Sequence, residues 1–121
     1  MLPDRAVTTR DIINYAVKLK INHFRGVFSR DELPKKPYDV ECAIVNLDIS
    51  SGTGSHWVAY YKYKDTVIYF DSFGDLAPPI EVQKYFKGYN ISYNYTNYQN
   101  YNTFICGHLC LEFLQCINQS L

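Results

Sequence analysis

Four residues spread along the chain, His56, Asp71, Gln99 and Cys106, have the side chains needed to cut an acyl bond through a covalent thioester. Cysteine attacks as thiolate, and its ordinary pKa of about 8.5 leaves little thiolate at neutral pH, so a nucleophile needs a local cause of depression. Cys106 has two candidate causes. It opens an apolar, helix-like stretch, where unpaired N–H groups and the macrodipole favour negative charge, and a nearby imidazolium would add a full positive charge. His56 is suited to take the thiol proton and return it to a leaving amine, and Asp71 to orient the ring and stabilise its charged form. Gln99 carries a neutral amide that can donate to an oxyanion without quenching the thiolate, and the Cys106 backbone N–H at the helix start is a second donor. Gly107, lacking a side chain, is expected to keep the approach to the sulfur open.

Each of these residues also has a plain structural explanation. A cysteine on the apolar face of a helix is usually a small buried hydrophobe, which is the reading given to Cys110 and Cys116, and to Cys42 in its apolar strand. A histidine before a tryptophan is often structural, and an aspartate at a strand end is an ordinary turn residue. Cys106, His108 and Cys110 form a C-x-H-x-C pattern without the separated ligand pairs of structural zinc sites, so no metal is expected. The tyrosines at 89, 93, 95, 98 and 101 could stack nucleic-acid bases, but no Lys or Arg lies between Tyr89 and Tyr101 to neutralise phosphate. They are read instead as a strand and loop lining a cleft.

The elements that must position these groups follow from the apolar pattern. Residues 9–21 have helical spacing, with Ile12, Ile13, Ala16, Val17 and Leu19 apolar and Thr8 or Thr9 as cap. Residues 42–47 read as a buried strand. Ser50 to Ser55 is a glycine-containing turn, and residues 56–63 and 67–70 form a hairpin through Lys64-Asp65. That hairpin brings His56, entering its first strand, to the same end as Asp71, leaving its second. Residues 79–86 read as a short helix and 91–95 as an edge strand. From Cys106, the positions Cys110, Phe113, Leu114, Ile117 and Leu121 mark one face of a buried helix, with Thr103 as its N-cap. Central strands between terminal helices indicate an α+β domain, read as one domain over residues 1–121.

Composition bounds the function. With 12 basic and 12 acidic residues, the 121-residue chain has no overall field to draw it onto nucleic acid or an anionic membrane. No apolar run is long enough to cross a bilayer, and the opening Met1-Leu2-Pro3-Asp4-Arg5 lacks a signal's hydrophobic region. A soluble, intracellular protein of nucleus or cytoplasm (or of the virion, if viral) is expected, with its four cysteines as thiols. In that setting the glycosylation patterns at Asn90, Asn94 and Asn118 are chance matches.

Read in order, Phe24-Arg25-Gly26-Val27-Phe28, Cys42-Ala43-Ile44-Val45-Asn46, Gly54-Ser55-His56-Trp57-Val58-Ala59-Tyr60, Tyr69-Phe70-Asp71-Ser72-Phe73-Gly74, and the stretch from Gln99 through Cys106-Gly107 to Cys110 resemble the adenovirus protease (adenain) family. That family belongs to the same clan as the SUMO and ubiquitin-like proteases. The resemblance implies a papain-like α+β core with a mostly antiparallel sheet, and the nucleophile at the N-terminus of a buried helix. It implies His56 as general base, Asp71 as orienting acid, Gln99 as oxyanion donor and Cys106 as nucleophile, with no cofactor. Members from human viruses carry Glu where Asp71 stands, and both are carboxylates. Those members also continue through helices beyond the position of Leu121, so their peptide and DNA cofactors do not transfer. The expected function is a cysteine endopeptidase acting on a polypeptide substrate near glycine, in processing of viral or Polinton-type mobile-element proteins. The alternatives are a deconjugase of a ubiquitin-like protein and a catalytically silent binding module of the same fold.

Overall fold

The computed structural model of the chain describes residues 2–48, 56–74, 76–94 and 105–120. Helix α1 (Thr9–Lys18) is followed by strands β1 (Phe24–Ser29), β2 (Val40–Asn46), β3 (Trp57–Tyr63) and β4 (Thr66–Phe70), helix α2 (Ile80–Tyr85), strand β5 (Asn90–Tyr93) and helix α3 (Cys106–Ser120). The strands make one sheet in the order β1-β2-β3-β4-β5. The two inner pairings, β2 with β3 and β3 with β4, are antiparallel, whereas both edge strands run parallel to their neighbours. The expected antiparallel character therefore describes the centre of the sheet, and its edges differ.

Helices cover the sheet on both faces. On one, Ile12 and Ala16 of α1 and Cys110, Leu111 and Leu114 of α3 pack on Cys42, Ile44, Ala59, Tyr61 and Phe70. On the other, Val82 of α2 and the following Phe86 pack on Ala43, Val45, Val58, Tyr60, Val67 and Tyr69. Because β2 and β3 are buried on both sides, they read in sequence as nearly continuous apolar runs rather than alternating ones.

Helix α1 begins with a reciprocal cap. Thr8 Oγ1 accepts from the Asp11 N–H at 3.1 Å, and the Asp11 carboxylate accepts from the Thr8 N–H at 2.9 Å. The helix ends at Lys18, short of Ile21, because Lys20 takes a left-handed conformation (φ 54°) that turns the chain so that Ile21 re-enters the core. Ile13 and Val17, apolar in the pattern, face solvent, and Ile12 and Ala16 carry the packing. Strand β1 has no clear signal in the sequence. It is only half buried, and Gly26 (φ 142°) sits at a break in its register against β2.

The second face also holds a charged cluster. Glu41, with 0% of its surface exposed, accepts from Arg25 Nη1 at 3.2 Å, from the Tyr38 N–H, and from the hydroxyls of Tyr60 at 2.6 Å and Tyr85 at 2.9 Å. The guanidinium of Arg25 also lies over the Tyr38 ring, 3.7 Å from its centroid.

Two expectations about α3 need correction. The helix starts at Cys106, and the Ile105 carbonyl accepts from the Leu109 N–H, which makes Ile105 the capping position; Thr103 lies outside the described residues. Cys116 is exposed rather than packed, since six residues beyond Cys110 it falls off the buried stripe. It borders an apolar recess lined by Tyr61, Ile68, Phe113 and Ile117.

Candidate active site

The antiparallel register of β3 and β4 pairs Ala59 with Phe70 and Tyr60 with Tyr69. Continued past the ladder, that register sets Phe73 opposite His56, with Asp71 two residues back and so on the same side. The side chains obey it. The His56 and Phe73 rings stack with centroids 4.2 Å apart and planes 5° from parallel, and His56 Nε2–H donates to Asp71 Oδ1 at 2.8 Å. The Phe73 N–H donates to the same Oδ1 at 3.0 Å. Both partners are nearly sealed from solvent, His56 at 8% and Asp71 at 1% exposure.

Cys106, the first residue of α3 and likewise only 8% exposed, completes the group. It is hydrogen-bonded to His56, and since Nε2 is engaged by Asp71, the ring offers Nδ1 to the sulfur. Burial would push the thiol up, but the His56 hydrogen bond and charge, with the backbone N–H groups of Trp57 and Gly107, bring it below its ordinary value. Burial would likewise lower the imidazole, yet Asp71 and Cys106 together raise it to about 9. The two shifts reinforce one another. Proton transfer from sulfur to ring yields a thiolate–imidazolium pair that each partner stabilises.

The other cysteines are held the opposite way. Burial and the Glu41 charge push Cys42 up to about 12, and burial raises Cys110 well above an ordinary thiol. Among the described residues, no three His, Cys, Asp or Glu side chains converge as a metal site. His108 turns its Nε2 to the Pro3 carbonyl, 2.7 Å away.

The structure thus brings His56, Asp71 and Cys106 together, while Gln99 lies outside the described residues. It also assigns Gly107 a task different from open access. A Cβ there would lie 2.2 Å from Val7 Cγ2 and 3.1 Å from Trp57 Cδ1. Glycine lets the segment before α1 lie directly on the helix start, where the Trp57 indole N–H donates to the Val7 carbonyl at 3.3 Å. Sequence reasoning singled out neither Phe73 nor Asn94. The first could have been found by continuing the hairpin register; the second contacts Asp71 from the residue after β5 and has no local signal.

A mixed sheet between helices, with a histidine and an aspartate at one end of its central hairpin and a cysteine opening the helix beside them, is an Ulp1-like cysteine protease fold. The chain is similar to the crystal structure of the ASFV pS273R protease, with a TM-score of 0.63 at 16% identity over 99% of this chain and 61% of that one. It is similar also to the SUMO protease Ulp1, solved with its catalytic cysteine oxidized to a sulfinic acid, with a TM-score of 0.62 at 16% identity over 98% of this chain and 68% of that one. Both neighbours belong to the ubiquitin-like protease clan. The chain therefore spans about three fifths of the ASFV protease's length. No family model matches the chain, and no curated protein matches it. Among the described residues, no helix is long and apolar enough to cross a membrane.

Proposed function

We propose that residues 1–121 form a single cysteine endopeptidase domain in which Cys106 is the nucleophile, His56 the general acid–base, Asp71 the orienting carboxylate and Gln99 an oxyanion donor. The observation that carries the reading is the continuous chain from Asp71 Oδ1 through the His56 ring to a Cys106 sulfur whose pKa is lowered despite burial. The Cys106 thiolate adds to the scissile carbonyl carbon, and the oxyanion is met by Gln99 and by the Cys106 N–H, which has no acceptor within α3. His56 then gives its proton to the departing amine as the C–N bond breaks, leaving a thioester. A water molecule, losing a proton to His56, hydrolyses the thioester, releases the acid and regenerates the thiolate. No metal or cofactor enters these steps.

The motif resemblance to adenain, together with the likeness to a viral protease, supports a role in processing viral or mobile-element proteins, within the cell or the virion. Both branches of the clan favour small residues at the cut, and glycine is the proposed preference. A second reading, a deconjugase of a ubiquitin-like protein, is favoured by the likeness to a SUMO protease. Cleavage of a peptide library by the wild type and by Cys106→Ala tests the first reading. Glycine-containing peptides should be cut by the wild type and not by the variant. Activity confined to SUMO- or ubiquitin-type reporters selects the second reading, and none on either leaves a binding module.

A further inference from the structure

Asp71 lies one residue beyond the end of β4, where the ladder no longer supplies partners for its backbone. Its N–H and C=O both meet one side chain, and the carbonyl accepts in addition from the Gly74 N–H at 2.9 Å. The Asp71 N–H donates to Asn94 Oδ1 at 2.9 Å, and Asn94 Nδ2 donates back to the Asp71 carbonyl at 2.7 Å. Asn94 immediately follows β5, whose last ladder residue, Tyr93, pairs with Tyr69. The amide thus stands in for the next rung of the parallel ladder, offering an acceptor and a donor as a peptide group would. Because a backbone N–H can only donate, the orientation of the amide is set by its partners rather than open to a flip.

From this geometry we propose that Asn94 is a positioning residue for the reaction: it fixes the backbone of Asp71 and thereby the carboxylate that holds His56 against Cys106. Besides the Gly74 N–H in the following turn, two distinct supports meet at Asp71. The Phe73 N–H holds the carboxylate oxygen itself, while Asn94 holds the main chain from which the side chain projects. Asp71 is 1% exposed, so solvent does not readily replace either bond; a lost amide strips the Asp71 N–H of its acceptor and leaves the carbonyl held by the Gly74 N–H alone, free to swing with that turn. A displacement of the carboxylate passes directly to the imidazole, whose Nε2 is held by that oxygen. Asparagine has the required pair of groups on a short stem; aspartate has only the acceptor. The same engagement ties up the Asn94 nitrogen that the glycosylation pattern would modify.

The proposal rests on the peptidase reading and is tested with a measurement independent of turnover. Wild type, Asn94→Ala and Asn94→Asp are compared for kcat and KM on a cleaved peptide, for the alkylation rate of Cys106 by iodoacetamide, and for the His56 ring titration by NMR. Asn94→Ala is expected to lower kcat by up to ~10²-fold with KM little changed, as a misplaced catalytic group does. It should also slow alkylation and shift the His56 midpoint down. Asn94→Asp keeps the acceptor for the Asp71 N–H, loses the donor to its carbonyl, and should fall between in kcat and alkylation rate. A variant that melts earlier yet retains wild-type kcat, alkylation and His56 midpoint while folded would show a structural role only and overturn the proposal. If Asn94→Ala does not fold, wild-type kcat and alkylation in Asn94→Asp overturn it equally. Should the wild type neither cut peptides nor alkylate preferentially at Cys106, the peptidase reading fails, and the His56 midpoint still reports whether Asn94 places Asp71.

Discussion

Glu41 and Asp71 are carboxylates buried in the same sheet, at 0% and 1% exposure, with opposite surroundings. Glu41 is saturated: Arg25 and the Tyr38 N–H occupy Oε1, and the hydroxyls of Tyr60 and Tyr85 occupy Oε2. Its donors do not give up protons in the working range. Arginine stays charged, and burial with the adjacent Glu41 charge raises both tyrosines. Asp71 receives only His56 and the Phe73 N–H, both on Oδ1, and its buried Oδ2 has no partner among the described residues. The comparison separates two uses of a buried charge. Full satisfaction by fixed donors immobilises it, whereas a titratable partner lets charge appear and vanish on the far side of the ring.

The sharpest way to break the contrast is to neutralise each carboxylate while keeping its shape. Asp71→Asn should reduce kcat about 10⁴-fold, the scale seen when the orienting carboxylate of a triad becomes an amide, with the fold retained. Urea unfolding alongside peptide cleavage checks both parts. Glu41→Gln should act the other way, lowering stability by about 3–5 kcal/mol because Arg25 loses its buried counter-charge, while Cys106 in the remaining folded protein alkylates at the wild-type rate. If Glu41→Gln instead slowed Cys106 as much as Asp71→Asn, the two carboxylates would not be separate in function. The smallest effect is expected at Gly107. There Gly107→Ala must push Val7 off the start of α3, at about 1–3 kcal/mol of stability, measurable as a lower urea midpoint.

The parts of the fold legible in the sequence are those with two-sided burial or strict helical spacing. β2 and β3 announce themselves as apolar runs, and the Lys64-Asp65 turn fixes the hairpin that aligns His56 with Asp71. Other features depend on contacts between distant segments. β1 exists because β2 pairs with it across a glycine irregularity. Asn94 reaches Asp71 from just beyond the end of β5, and its identity alone offers only a chance glycosylation pattern. The missing side chain of Gly107 admits Val7, a neighbour one hundred positions earlier that no local pattern reveals.

The pKa shifts fix how the site should respond to pH. His56 is raised in the folded protein, so its charged form contributes stability in full below the ordinary imidazole value of about 6.5. That contribution is lost as pH rises through about 9. The Cys106 thiol is lowered, so the thiolate–imidazolium pair forms below the ordinary thiol range and persists until the ring loses its proton near pH 9. Iodoacetamide alkylation of all four cysteines, followed residue by residue across pH, tests this most directly. Cys106 should react at pH values below the ordinary thiol range of about 8.5, with Cys42 and Cys110 slow throughout. Cys106 reacting no faster than Cys42 and Cys110 in acid, and gaining reactivity only through the ordinary thiol range, would contradict the claim that His56 and Asp71 activate the sulfur.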